Sequence, residues 1–301
     1  MGTRLGTGQD HRRGSRDDAR RRLHGLSVSD SVFWLCRTCG VEHDATPQVC
    51  AICADDRQWV PADGQHWATL TELAGEGMRS ITTVLESGLI GVGSTPPLGI
   101  GQLGKLVCTP RGNMLWDPSG FVDDAAVAAV ADHGPVLGVV ASHPHMFGAQ
   151  VEWARALGGV PVYVNAADKH WVMRPDPVIA YWSGRLELAP GLTVLQVGGH
   201  FPGSSVACWD DGADGRGVLL VGDTIFPNPD RRTVAFLRSY PNRIPLSAAV
   251  VQRMAGTLEQ LRFDRIYGLH TNTIDTDGAA AVRFSADRHA AWVRGDHDDL
   301  T

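Results

Sequence analysis

The 301-residue sequence predicts a layered α/β body preceded by a small metal knuckle. Three observations lead there. Apolar runs end in His or Asp at four places, two Cys-x-x-Cys pairs lie close together near the start, and strand-like segments come first and then alternate with helix-like ones.

The run that organises the chain is Val139-Val-Ala-Ser-His-Pro-His145. Val136 to Ala141 reads as a buried strand. Pro144 fixes its own φ and biases the residues before it away from helix, so the chain is expected to stay extended. Side chains at i and i+2 of an extended chain point to one side, which lets His143 and His145 reach one metal ion. Three later pieces repeat the pattern: Leu195-Gln-Val-Gly-Gly-His200, Val218-Leu-Leu-Val-Gly-Asp223 and Arg265-Ile-Tyr-Gly-Leu-His270.

Composition narrows the function classes. Hydrophobic residues make up 43% and charged residues 20%, which is ordinary globular chemistry. A formal net charge of −6 argues against binding to a nucleic-acid backbone. No apolar stretch approaches the roughly 20 residues of a membrane span, and the N-terminus lacks the apolar core of a signal peptide. The expected location is cytoplasmic, with no membrane partner. In a reducing compartment the six cysteines read as metal ligands and buried thiols rather than disulfides.

Residues 1–28 carry Arg12-Arg13 and Arg20-Arg-Arg22 with almost no apolar residues, and are expected to be a disordered basic tail. Residues 29–66 form the knuckle and its linker. Cys36-Arg-Thr-Cys39-Gly40 and Cys50-Ala-Ile-Cys53 offer two sulfurs per tight turn, enough for a tetrahedral thiolate site. Gly40 suits the left-handed position after the first turn, and Trp34 and Trp59 are expected to wrap the site. This unit resembles the rubredoxin-like knuckle over roughly residues 32–62. Ala54 departs from the pattern, because glycine is usual there. The resemblance allows zinc or iron: a zinc staple for a piece too small to fold alone, or a redox iron that implies a redox partner. Pro61 to Gly64 reads as a linker.

The larger domain is expected over residues 67–301. Ser80–Glu86, Leu103–Thr109 and Met114–Trp116 read as strands, with Gly91 to Gly104 read as a turn-rich stretch between them. Asp123–Ala131 and Ala149–Leu157 read as helices, and Val160–Val164 as a strand. Asn165 is expected to cap a helix over Ala166–Val172. Ser205–Trp209 and Gly217–Gly222 read as neighbouring strands. Val250, Met254, Leu258 and Leu261 mark an amphipathic helix, and Ala279–Val293 a last one. Glu152 and Trp153 begin a helix beside the histidines and are expected to line the pocket.

His143-Pro-His145, Gly199-His200-Phe-Pro-Gly203-Ser204, Gly222-Asp223-Thr224 and Gly268-Leu-His270 resemble the metallo-β-lactamase superfamily in order and separation, over about residues 80–290. The resemblance implies a four-layer αβ/βα sandwich with metal held at one edge. It implies that His143, His145 and His200 form a first site, that Asp223 bridges, and that His270 serves a second. The family's first motif usually continues His-x-His-x-Asp-His, whereas Phe147 and Gly148 stand at the last two positions and cannot ligate. One zinc ion is therefore favoured, with the second site empty or weak. A zinc-bound hydroxide would then attack an ester, thioester, lactone or amide of a small molecule, with Asp223 orienting the water and His270 acting as acid or oxyanion stabiliser. The alternatives are a mononuclear iron oxygenase or redox protein, using the knuckle for electron transfer, and a non-catalytic metal-binding module. Arg238, Tyr240 and Arg243 lie in a proline-rich loop after Asp223 and are expected to grip an anionic substrate.

Overall fold

The computed structural model describes residue 28 and residues 32–301. The expected basic tail therefore lies outside the described residues, Val28 excepted. Among the described residues two large sheets face each other. The first has seven strands in the spatial order Ile179–Trp182, Val162–Asn165, Val136–Val140, Asn113–Trp116, Gly104–Val107, Leu89–Thr95 and Arg79–Glu86. The second has six, in the order Arg185–Ala189, Leu192–Gln196, Ser205–Trp209, Val218–Gly222, Arg265–Gly268 and Thr273–Ile274.

Strand periodicity explains the layering. Val107, Met114, Trp116 and Val140 of the first sheet pack with Leu192, Val194, Ala207 and Leu220 of the second, which makes the inner layer. Alternate residues face outward. Leu106, Leu115 and Val139 turn to the helices Asp124–Ala131 and Gln150–Ala156. Val206, Leu219 and Ile266 turn to Ala248–Leu258 and Gly278–Arg294. The result is the expected αβ/βα sandwich preceded by a cysteine cluster. No helix of the described residues is long and apolar enough to cross a membrane.

Several local expectations need correction. The glycine-rich stretch after Gly91 begins inside a strand, Leu89–Thr95. Gly91 and Gly93 sit there because Leu103 packs across the strand: a Cβ on Gly91 would lie 2.9 Å from the Leu103 side chain, and one on Gly93 3.2 Å. The chain does not stay extended through His145. His143 is extended (φ −169, ψ 174), but Pro144–Met146 forms a 3-10 turn closed by the Met146 amide on the His143 carbonyl at 2.9 Å. Proline at the first position of a helical turn is preorganised for it. Residues 166–171 also form a 3-10 segment, capped by Asn165 as expected.

The knuckle is not a separate bead. Trp67–Ala68, expected to open the larger domain, pairs with Leu35–Cys36 in the knuckle's own three-stranded sheet. The four ligand cysteines belong to the same apolar cluster as Leu106, Leu115, Val139 and Phe147. Backbone meets backbone at this junction. A Cβ on Gly120 would lie 2.3 Å from the Gly40 carbonyl oxygen, and one on Gly99 would lie 2.6 Å from the Gly40 nitrogen.

Candidate metal centres

The knuckle brings the sulfurs of Cys36, Cys39, Cys50 and Cys53 within 4.8 Å of one another, all buried. Cys36 and Cys53 Sγ are 3.5 Å apart, and Cys39 and Cys50 Sγ 3.9 Å. Tetrahedral thiolates on one ion keep their sulfurs about 3.8 Å apart, so the set fits a metal. Gly40 takes φ +78 as expected, and its amide donates to the Cys36 carbonyl at 2.8 Å. Ala54 makes the equivalent bond to the Cys50 carbonyl at 3.0 Å without a positive φ, so glycine is not required there. Gln65 donates to Cys36 Sγ at 2.9 Å and accepts from the Cys50 amide at 3.1 Å. The aromatic wrapping differs from expectation. Trp59 is exposed, whereas His43 lies 3.4 Å from Cys50 Sγ with Trp67 packed edge-on to its ring.

The second centre forms where strands of both sheets end. His143, His145, His200 and Asp223 place ligand atoms within 4.8 Å of one another, and all four residues are buried. His200 Nε2 is 3.4 Å from His145 Nδ1, close to the roughly 3.3 Å that two nitrogens of one tetrahedral zinc keep. Asp223 Oδ2 lies 4.0 Å from His143 Nε2. The buried atom His143 Nε2, which faces Asp223 Oδ2, has no hydrogen-bond partner. Buried polar atoms are normally satisfied, so this atom fits a missing cation. Of the three remaining ring nitrogens, His145 Nε2 is buried without a partner and two fix orientation: His143 Nδ1 meets Ser142 Oγ at 2.9 Å, and His200 Nδ1 meets the Leu237 carbonyl at 3.3 Å. That bond leaves the His200 Nε2 lone pair facing inward.

Burial keeps the imidazoles neutral. It holds His143 and His145 well below the usual imidazole value, with repulsion from His200 adding to it, and brings His200 down to about 4. Burial raises Asp223 to about 7, reinforced by the charge of Asp117 and opposed by Lys105. Asp117 itself, raised by burial to about 6, accepts from the Ser142 amide at 2.6 Å and so tethers the chain just before His143.

His270 is the one expected ligand that the structure does not bring to the cluster. Its Nδ1 meets the Gly101 carbonyl at 3.0 Å, and its ring lines a cavity of about 190 Å³ shared with Leu98, Gln102, Leu103 and Ser119. Tyr240 reaches the centre: its hydroxyl donates to the Asp223 carbonyl at 3.1 Å and its ring lies beside His200. Arg238 is paired with Asp56 of the knuckle at 2.9 Å, and Arg243 is exposed. Glu152 and Trp153 do not line a pocket. Glu152 is fully buried beside Arg174, and the Trp153 indole donates to the Ser119 carbonyl at 3.0 Å.

The knuckle covers this centre. Arg57 donates to the His200 carbonyl at 3.1 Å, lies 3.5 Å over the Phe201 ring and pairs with Asp55. Ser239 and Asn242 both donate to the Asp56 carbonyl at 2.7 Å. The broken motif lies at this junction. Gly148, at φ +53, has no room for a side chain against the larger domain's own Pro118–Ser119 turn: a Cβ would lie 2.1 Å from the Pro118 carbonyl. Its own carbonyl accepts from the Glu42 amide at 3.0 Å. Glu42 in turn accepts from the Val151 amide at 2.5 Å and from Arg174 at 2.7 Å. Phe147 joins the apolar cluster shared with the knuckle. Positions that serve a second metal in the family pattern are thus used here to seat the knuckle.

Sequence reasoning missed Arg57, Asp117 and Lys105. Arg57 carried no local signal. Asp117 closes the apolar strand Asn113–Trp116 at φ +50, a left-handed corner that aspartate tolerates. Lys105 stands two residues from inward-facing Val107 on the same strand, and a charge on an inward face was a readable sign.

Sandwich, strand-end ligands and buried histidine cluster define a metal-binding αβ/βα protein. The chain belongs to the metallo-β-lactamase superfamily, whose family model matches residues 106–270. It is 37% identical over 262 residues to the Bacillus subtilis (strain 168) protein YmaE, covering 85% of this chain and 95% of that one. Among solved structures it resembles VMB-1 (TM-score 0.54, 13% identity, 71% of this chain and 98% of that chain). It also resembles the metallo-β-lactamase FIM-1 of Pseudomonas aeruginosa (TM-score 0.51, 14% identity, 72% and 96%). At these identities the structural likeness concerns the fold.

Proposed function

We propose that the chain is a metal-dependent hydrolase acting on an ester, thioester, lactone or amide of a small molecule, with a single divalent ion, zinc, held by His143, His145, His200 and Asp223. The observation that carries this is the convergence of those four buried side chains, with His143 Nε2 facing inward and left without a partner. A cation bound there supplies a Lewis acid and brings the ionisation of a bound water toward neutral pH. The residues do the rest. Ser142 and the Leu237 carbonyl hold two imidazoles in register. Asp223, whose Oδ2 lies 4.0 Å from His143 Nε2, would accept a proton or orient the attacking water. His270, on the wall of the small cavity, would protonate a leaving group or steady an oxyanion. Phe147 and Gly148 offer no ligand atoms and His270 lies outside the cluster, which supports one ion rather than two.

A panel of small esters, thioesters, lactones and amides tests the proposal. The zinc-loaded protein should turn over at least one class, and Asp223→Ala should abolish that turnover in a folded protein. Unchanged turnover in Asp223→Ala removes it from the mechanism. A folded, zinc-loaded protein inert toward the whole panel favours a metal-binding module.

A second reading has support in the placement of the knuckle. The four-cysteine site shares a core with the strand that leads to the histidines, and its Asp55–Gln58 end covers His200. Iron in both centres would suit an oxygenase or electron-transfer role with a redox partner. A red protein with visible absorption that keeps iron after Cys36 and Cys50 are replaced supports that reading; a colourless zinc protein contradicts it.

A further inference from the structure

Lys105 is the least expected residue of the inner layer. It is 1% exposed, in a strand whose neighbours Leu106 and Val107 are wholly apolar. Burying an ammonium costs several kcal/mol unless it is paired and hydrogen-bonded, so an unused lysine is not a neutral choice here. Its Nζ donates to the Gly268 carbonyl at 2.6 Å and to the Leu269 carbonyl at 3.0 Å. Those carbonyls lead directly into His270. Its charge also acts on Asp117, Asp223 and His270. An ammonium has three donors, and the two carbonyls take two. Neither carboxylate is hydrogen-bonded to it: Asp117 Oδ2 and Asp223 Oδ1 are buried oxygens without a partner, so its hold on them is through charge rather than contact. The two carboxylates sit together, since a Cβ on Gly222, next to Asp223, would lie 3.0 Å from Asp117 Oδ2.

We propose that the Lys105 ammonium is the resident cation of the second half of this centre: it does the electrostatic work of a second metal ion, balancing Asp117 and Asp223, and positions Asp223 for the ion held by the histidines. This rests on the one-ion reading above. It explains why Phe147 and Gly148 can be given over to the knuckle without leaving buried carboxylates uncompensated. A divalent ion beside the ammonium would crowd like charges into one buried site. Lys105 touches neither substrate nor ion in this account, so it is a positioning residue.

The test is a cobalt titration of full-length protein whose knuckle is already filled with zinc, followed by visible absorption and native mass spectrometry. The wild type should take one cobalt beyond the knuckle ion. Lys105→Met should admit a second cobalt at least about tenfold more tightly than the wild type does, and Lys105→Arg, which keeps the charge, should stay at one. Two cobalt ions in the wild-type centre overturn the proposal. One ion in both wild type and Lys105→Met, with unchanged affinity for a second, overturns the Lys105 assignment and leaves the one-ion reading standing. No cobalt beyond the knuckle overturns the one-ion reading itself. Should Lys105→Met fail to fold, Lys105→Gln takes its place: a second cobalt held at least about tenfold more tightly than in wild type supports the proposal, and unchanged affinity overturns it.

Discussion

The two ligand clusters of this chain are built on opposite plans. The cysteine knuckle draws its four sulfurs from two short loops within 18 residues of sequence, and its residues make up part of the apolar core. The histidine centre gathers ligands spread from residue 143 to residue 223, each carried on the turn or loop that follows a strand. The first is closed, with all four positions supplied by protein, as a structural metal site requires. The second leaves inward atoms unpaired on one side and keeps an ammonium on the other. The difference teaches where stability and chemistry are separated: removing the knuckle's ligands should cost folding, and removing the centre's ligands should cost activity.

The largest effect should follow loss of the knuckle ion. Cys36→Ser with Cys50→Ser, or a strong chelator, removes metal-linked folding energy on the order of 10 kcal/mol. Thermal melting should collapse, and limited proteolysis should cut within residues 44–60, uncovering His200. A melting curve matching the wild type breaks the comparison from the knuckle side.

His145→Ala should do the reverse. Hydrolysis should fall by about a thousandfold or more, the several kcal/mol a Lewis acid supplies, while the melting temperature of protein with a filled knuckle and an empty histidine centre changes little. A large loss of stability without loss of turnover would break the comparison from the other side.

Asp223→Asn sharpens it through pH. In the folded chain burial raises Asp223 from the ordinary carboxylate value of 3.8 to about 7. The unfolded chain therefore releases this proton first, and ionisation destabilises the fold increasingly as pH rises from about 4 to about 7. Asparagine carries no such penalty. With the knuckle filled and the histidine centre empty, Asp223→Asn should thus gain stability over wild type as pH rises through that window, on the order of 3 kcal/mol by neutral pH, while losing turnover when the centre is loaded. Urea midpoints at pH 5 and pH 7.5 check it; a gap that does not widen with pH contradicts the buried-carboxylate account.

Smaller effects concern the contacts between the two regions. Arg57→Ala deletes the stack on Phe201 and the bond to the His200 carbonyl, and should cost about 1–3 kcal/mol in a denaturant series. Arg238→Ala breaks a half-exposed pair with Asp56 and should cost less than about 1 kcal/mol. KM for anionic substrates should stay at the wild-type value; a rise selective for anions restores Arg238 to the substrate.

Much of both clusters was legible because each has a local signature. Cys-x-x-Cys turns are self-contained, and an apolar strand ending in His or Asp announces itself through hydropathy. The relation between the clusters was not legible. The knuckle is seated by backbone approaches of Gly99 and Gly120 to Gly40, and a glycine in sequence does not say which other backbone it lets in. For the same reason Phe147 and Gly148 could be read as lost ligands but not as docking residues. Lys105 was overlooked because its partners are two carbonyls more than 160 residues away.

Native mass spectrometry of the wild type beside a His143→Ala, His145→Ala double variant addresses the central claim most directly. The account predicts two ions per wild-type chain, one in the knuckle and one among the histidines, and a single knuckle ion in the double variant. The same ion count in both proteins would contradict it.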